Sequence, residues 1–170
     1  TKRMLYVGID ALRAQFDHRY LFLIPSTLYG PDYHLDDRQL HFIFDLVRKI
    51  VEAHRGGPPP QLWGDGQQSR ELIHVSDFVD AMVRLSMEVD NELLNIGGGE
   101  EHTIRWYAES ICGLVGYDPE LIEYQEDKYV GVRSKVLSIE KLRSFLPSFQ
   151  PMDIQEGLKG VVDWYQSATE

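Results

Sequence analysis

Cysteine is nearly absent from this chain: Cys112 is the one cysteine among 170 residues. A single cysteine cannot close an internal disulfide, so we expect a reducing compartment, the cytoplasm. Cys112 also falls beside the apolar face of its predicted helix, which indicates a core residue rather than a nucleophile. The sequence has no secretory signal and no apolar run as long as a membrane span, so we expect no membrane partner.

Positive charge and metal-binding motifs are also scarce. The chain has 17 Lys and Arg residues against 27 Asp and Glu, a formal net charge of -10. This balance disfavours nucleic acid and anionic membranes as partners, although a few local cations suffice for a small anionic ligand. The six histidines lack HExxH or other paired-ligand spacing, so we expect no metal site.

What the chain does have is a regular alternation of apolar strand and helix patterns, which predicts an α/β fold. Residues 2–16 carry two apolar stripes at helical spacing, so this helix needs cover on more than one side. Residues 21–24 form a continuous apolar run, typical of a strand buried on both faces of a parallel sheet.

The remaining elements follow from the same patterns and from turn and cap residues. Residues 38–54 predict a helix with His41 and Lys49 on its polar face. Residues 61–63, a glycine-rich turn at 64–66 and a strand at 70–75 predict a hairpin-like unit. Further expected elements are a helix capped by Ser76, a strand at 93–96, a helix capped by Thr103 with Leu114 inward, a strand at 121–124, and helices at 138–145 and 153–165.

Three strings carry a family resemblance: Thr1-Lys2, the segment PSTLYGP at 25–31, and WGDGQQSRELIHV at 63–75. They resemble the carboxyl-terminal portion of extended short-chain dehydrogenase/reductases, the NAD-dependent epimerase/dehydratase family, and within it most the GDP-L-fucose synthases. The resemblance implies that residues 1–36 end a Rossmann-type dinucleotide-binding domain. Residues 37–170 would then form a smaller α/β substrate-binding domain, with some segments returning to the sheet.

The resemblance also implies a cofactor site for NADP(H), most of it in an amino-terminal half that this sequence does not contain. Lys2 resembles the lysine of a catalytic Tyr-x-x-x-Lys pair, which binds the nicotinamide ribose and lowers the pKa of the tyrosine. That tyrosine would precede residue 1; the alternative is a solvated lysine at a helix end. The nicotinamide side of the pocket would be lined by Pro25, Ser26, Thr27 and Leu28, where the family more often has Thr-Asn at the two middle positions.

His41 stands 14 positions after Thr27, the spacing of a fucose-synthase histidine. There it resembles an acid that protonates a sugar carbon beside the cofactor, a role that suits imidazole because its unperturbed pKa is about 6.5. A lone histidine on a polar surface is the alternative.

Four residues resemble a clamp for a nucleotide-diphosphate sugar: Lys49, Trp63, Arg70 and Lys135. Arg70 corresponds to a diphosphate-binding arginine, since a guanidinium can bind phosphate oxygens bidentately. Trp63 corresponds to the aromatic residue beside the nucleotide. Val130 stands where the family has an aspartate, so the identity of the sugar stays open.

The implied activity is that of an NADP-dependent nucleotide-sugar 3,5-epimerase/4-reductase, which converts GDP-4-keto-6-deoxy-mannose to GDP-L-fucose. The resemblance further implies a homodimer formed through the first helix, and predicts that residues 1–170 alone are inactive. The alternatives are another nucleotide-sugar C4-reductase, epimerase or dehydratase, or a non-catalytic nucleotide-sugar-binding module. The base, the sugar and the choice between NAD and NADP stay open.

Overall fold

The computed structural model describes residues 1–36 and 38–170; residue 37, at which the expected second domain begins, lies outside them. Helices and strands alternate along the chain. The helices are α1 (Lys2–Phe16), α2 (Phe42–His54), α3 (Val75–Glu88), α4 (Ile104–Val115), α5 (Glu140–Phe145) and α6 (Ile154–Ala168), with a 3-10 turn at Pro119–Leu121. The strands are β1 (Leu21–Pro25), β2 (Thr27–Tyr29), β3 (Gln61–Trp63), β4 (Ser69–Arg70), β5 (Leu72–His74), β6 (Glu92–Ile96), β7 (His102–Thr103) and β8 (Glu123–Gln125).

Most of the strand pairing is parallel. β1 pairs with β6, β2 with β5, and β3 with β8, all parallel, whereas β4 and β7 pair antiparallel. Parallel neighbours need a crossover connection, and here helices lie between the paired strands along the chain. The predicted α/β fold with a parallel sheet is confirmed.

Two hydrophobic cores flank the short strand β5. Leu72 belongs to the core formed by α2, α4 and α6, while the next residue, Ile73, belongs to the core formed by α3, α5 and β6. Successive side chains of a strand point to opposite faces, so β5 contributes to both cores. Burying a side chain such as Ile73 contributes roughly 1.5–3 kcal/mol to stability.

The expected helix cap at Thr103 is present, and Asp153, expected as the first residue of the last helix, is the cap of that helix instead. The Thr103 side chain accepts a hydrogen bond from the Trp106 backbone N–H at 3.0 Å and so begins α4. The Asp153 carboxylate accepts from the N–H groups of Gln155 and Glu156 and begins α6. Such caps satisfy the free N–H groups of the first helical turn and contribute about 1 kcal/mol each.

The expected start of the second helix at residue 38 is wrong. α2 begins at Phe42, and His41 is its N-cap residue with extended backbone angles, rather than a residue on the polar face. The Asp36 carboxylate accepts hydrogen bonds from both the backbone N–H and the side chain of Arg38. A local side-chain bond of this kind competes with helical hydrogen bonding and keeps the segment before His41 out of the helix.

The expected hairpin at 61–75 is also wrong, because its two arms pair with distant strands. β3 pairs with β8. The expected strand at 70–75 divides into β4, which pairs with β7, and β5, which pairs with β2, and Val75 already begins α3. The backbone of the turn between them is bonded elsewhere: Gly64 N–H donates to Gln125, and the Gly66 carbonyl accepts from Arg105 N–H.

Several smaller expectations need correction. His74, not Ser76, caps α3, and its Nδ1 accepts from the Ser76 backbone N–H. Leu114 is 37% exposed because it points away from the face of α4 that carries Cys112. Residues 121–124 divide between a 3-10 turn and β8.

α1 and β1 are less covered than their apolar sequences predict. In α1, Ile9 and Arg13 are half-buried and the other residues are exposed. The apolar side chains of β1 are likewise half-buried rather than buried, because in the described part of the chain β1 pairs with β6 alone. Within residues 1–36 and 38–170, no helix combines the length and apolarity that a membrane crossing needs.

Candidate functional site

A cavity of about 930 Å³ opens beside α2. Its volume is in the range of small-molecule pockets. The walls come from the segment before α2, one face of α2, the end of β3, β4, the segment after β8, and the end of α6. The residues that carry the following argument are Asp36, Arg38, Asp45, Arg48, Lys49, Glu52, Trp63, Arg70, Tyr129 and Val130.

Cations are concentrated in the part of this cavity that the structure describes. Among residues 1–36 and 38–170, its lining has four cationic side chains and three carboxylates, in a chain of net charge -10. Cations gathered in a concave surface favour anionic ligands, because the cavity walls reduce screening by water.

Three of these four cations contact neighbouring carboxylates. Arg38 contacts Asp36 at 2.8 Å. Hydrogen bonds from Arg38 lower the pKa of the Asp36 carboxyl to about 2. Arg48 and Lys49 both contact Asp45, at 2.6 and 2.7 Å. Burial raises the pKa of the Asp45 carboxyl, but hydrogen bonds from Lys49 and Arg48 outweigh it, and the net shift is downward.

Arg70 is the fourth cation, and among residues 1–36 and 38–170 it contacts no carboxylate. Its Nη1 donates to the carbonyls of Ser69 at 2.6 Å and Val132 at 3.0 Å, and its Nη2 approaches that of Val130 at 3.5 Å. The Tyr107 hydroxyl donates to the Arg70 carbonyl at 3.0 Å and so fixes the backbone of β4. Carbonyl partners leave the positive charge of Arg70 uncompensated, so it is the lining group best suited to bind an anion.

The other proposed clamp residues divide into two groups. Lys49 and Trp63 line the same cavity as Arg70. Lys49 also donates to the Gln61 carbonyl at 3.0 Å, and the Trp63 side chain is 62% exposed. Lys135 is exposed and lies outside the cavity lining.

The predicted catalytic and cofactor residues lie outside the cavity lining. Lys2 is exposed on the first turn of α1. Pro25 ends β1, Ser26 links it to β2, and Thr27 and Leu28 begin β2, so these residues lie at the carboxyl end of β1, where cofactors bind in doubly wound sheets. The Ser26 hydroxyl is buried and has no hydrogen-bond partner in the described part of the chain. His41 is exposed, and its chain neighbours Leu40 and Phe42 line the cavity.

Sequence reasoning missed Glu71, a buried charged residue next to Arg70. Its side chain is 1% exposed, and its two oxygens accept hydrogen bonds from the Gly99 and Leu137 N–H groups at 2.9 and 2.8 Å. A Cβ on Gly97 would lie 2.2 Å from this carboxylate, so a larger residue at position 97 would displace it. The signal was available, because Glu71 is a charged residue directly before the apolar pair Leu72-Ile73.

Tyr129 was missed as well. It lines the cavity, and its side chain is 86% exposed. It occupies the second position of the string KYVGVRSK, next to the Val130 departure, and an aromatic residue there was a detectable signal.

Comparison with known proteins agrees with this architecture. The chain is 34% identical to GDP-L-fucose synthase 1 of Arabidopsis thaliana, over 92% of this chain and 48% of that protein. It is 28% identical to a dTDP-4-dehydro-6-deoxy-D-allose reductase of Streptomyces bikiniensis, over 92% and 46%. The crystal structure of UDP-glucose 4-epimerase from Thermotoga maritima with UDP-glucose superposes with a TM-score of 0.80 at 25% identity, covering 96% of this chain and 51% of that one.

The chain thus spans about half the length of the curated relatives it matches. The family model for the NAD dependent epimerase/dehydratase family matches residues 1–97, more than half of the chain. With the parallel pairing of the strands, this match identifies the chain as a member of the NAD-dependent epimerase/dehydratase family.

Proposed function

We propose that the cavity beside α2 binds a nucleotide-diphosphate sugar. The observation that carries this proposal is Arg70, a cation without a carboxylate partner among the described residues, which lines the cavity with Trp63 and Lys49. A guanidinium can bind two phosphate oxygens in parallel, and an exposed indole offers a flat apolar surface to a base. Lys135 belongs to the proposed clamp on sequence grounds alone.

The reaction proposed for the intact protein is that of a 3,5-epimerase/4-reductase similar to GDP-L-fucose synthase, with NADP(H) as its cofactor. The unpartnered Ser26 hydroxyl at the carboxyl end of β1 fits a cofactor site, because a buried hydroxyl needs a hydrogen-bond partner. The nicotinamide end would be held by Lys2, Pro25, Ser26, Thr27, Leu28 and His41. When bound, NADPH supplies the hydride that reduces C4.

His41 is proposed to exchange protons with sugar carbons next to the 4-keto group. The keto group acidifies C3 and C5, and an imidazole within reach would take up or deliver the proton at these atoms. Support comes from the position of His41 at the start of α2, between two residues that line the cavity. Lys2 is proposed to act on a tyrosine, by lowering its pKa.

Heavy-water exchange separates this reaction from its alternatives. In heavy water without cofactor, the intact protein should introduce deuterium at both C3 and C5 of the 4-keto sugar nucleotide. It should oxidise NADPH when NADPH is added. His41→Gln should slow the exchange by about 10² to 10⁴ and affect reduction of an epimerised substrate much less. NADPH oxidation without deuterium incorporation would indicate a C4-reductase, as in the Streptomyces relative. Binding of the sugar nucleotide with neither NADPH oxidation nor deuterium incorporation would indicate a non-catalytic module.

Four further proposals follow from the family. Residues 1–36 would belong to the dinucleotide-binding domain and residues 37–170 to the substrate-binding domain, and the isolated chain would then be inactive. The protein would be cytoplasmic and would dimerise through α1, whose Met4, Leu5, Val7 and Phe16 are each more than half exposed. Light scattering tests the dimer, and a monodisperse monomer at micromolar concentration would contradict it.

A further inference from the structure

Two large aromatic side chains stand exposed at the same cavity. Trp63 ends β3 and is 62% exposed, and Tyr129, four residues beyond the end of β8, is 86% exposed. Both line the 930 Å³ cavity. An aromatic side chain that is more than half exposed leaves most of its apolar surface in water, which is unfavourable unless a ligand covers it.

A close backbone contact holds the two segments together. β3 and β8 end in register at Trp63 and Gln125, and the Gln125 carbonyl accepts hydrogen bonds from Gly64 N–H at 2.8 Å and Lys128 N–H at 3.1 Å. A Cβ on Gly64, whose φ is +79°, would lie 2.3 Å from Val130 Cγ1. Gly64 therefore lets Val130 approach, and Trp63 and Tyr129 each lie one residue from this contact.

Arg70 fixes the same loop from the other side. Its guanidinium donates to the Val132 carbonyl, and the Ser69 N–H donates to the Arg133 carbonyl at 2.7 Å. The proposed diphosphate ligand, Arg70, is thus bonded to the loop that carries Tyr129. If the diphosphate of a nucleotide binds at Arg70, its base lies in the cavity that both aromatic side chains line.

We propose that Trp63 and Tyr129 together form a stacking site for the nucleobase of the ligand, with Tyr129 as a further base-binding residue. The proposal rests on the proposed nucleotide-sugar function and adds to it the part of the ligand that these two residues bind. Stacking depends on the flat face that every base offers, so the site favours a nucleoside diphosphate over a bare diphosphate. Selection among bases would come from groups at the edge of the ring.

The test is calorimetric titration of the intact protein with GDP and, separately, with inorganic pyrophosphate. Tyr129→Ala should weaken GDP binding by about five- to hundredfold, because it removes the ring that contacts the base. Pyrophosphate has no base, so its binding should stay unchanged. Tyr129→Phe keeps the ring and should bind GDP as the wild type does. Val132→Ala is the matched control, since Val132 is an exposed side chain of the same loop outside the cavity lining.

Each other outcome has a definite meaning. Unchanged GDP binding by Tyr129→Ala overturns the stacking site but leaves the proposed function intact. An equal loss of GDP and pyrophosphate overturns it too, because Tyr129 would then support only the loop. Wild-type protein that binds none of GDP, UDP and dTDP refutes the proposed function, and with it this inference.

Discussion

Replacement of Arg70 by alanine is the perturbation with the clearest expected effect on ligand binding. Arg70 is the lining cation whose charge is not matched by a carboxylate in the described residues, so the diphosphate loses its charge-assisted partner. A hydrogen bond to a charged group contributes about 1.5–3 kcal/mol, which corresponds to roughly ten- to hundredfold in affinity. We expect Arg70→Ala to weaken nucleotide-sugar binding by this factor and to leave NADPH affinity nearly unchanged.

The same substitution also removes the hydrogen bonds from Arg70 to the loop at 130–132, so binding and folding must be measured separately. Calorimetric titration with each ligand gives the affinities, and a thermal melt gives the stability. Arg70→Lys should recover only part of the affinity, because an ammonium keeps the charge but cannot form the bidentate contact. Arg133→Ala, an exposed arginine outside the cavity lining, is the control. Equal losses of nucleotide-sugar and NADPH affinity would refute the reasoning, since Arg70 would then only support the fold.

Three predictions concern the stability of the fold. Gly64→Ala should lower the free energy of unfolding by about 1–3 kcal/mol more than Gly131→Ala does, because φ is similar at the two glycines, +79° and +75°, and only Gly64 has Val130 in the space that a Cβ would fill. Equal losses in urea unfolding would contradict the contact. Glu71→Gln should cost about 1–3 kcal/mol in the same assay, because the amide NH2 would face one of the two N–H donors; wild-type stability would contradict this role. Burial raises the pKa of the Cys112 thiol from 9.0 to about 11. The thiol therefore stabilises the fold below pH 9, and this contribution is lost as the pH rises towards 11. Cys112→Ala should lose less stability over this pH range than the wild type, and an identical dependence of stability on pH would contradict the shift.

Elements fixed by local patterns were predictable from the sequence. The stripes of α1, the Thr103 cap and the burial of Cys112 depend on residues within one or two helical turns of each other. The start of α2 was not predictable in this way, because the Asp36 side chain accepts hydrogen bonds from Arg38 and so competes with the hydrogen bonds of a helix. Nor were the partners of β3 and β4, since strand pairing is decided by distant segments such as β8 and β7.

The candidate site divides in the same way. Lys49, Trp63 and Arg70 were expected to converge, and they line one cavity because β3, β4 and α2 meet there. Lys135 follows a loop whose path no local pattern fixes, and it lies outside the lining. Tyr129 was missed because its position at the cavity depends on the contact between Gly64 and Val130, which joins residues 66 positions apart.

The measurement that tests the central proposal most directly is a crystal structure of the intact protein with a bound nucleotide-diphosphate sugar such as GDP-mannose. The proposal predicts electron density in the cavity beside α2, with the diphosphate within hydrogen-bond distance of the Arg70 guanidinium and the base against Trp63. Density for the ligand at another surface, with Arg70 still donating only to the carbonyls of Ser69 and Val132, would contradict it.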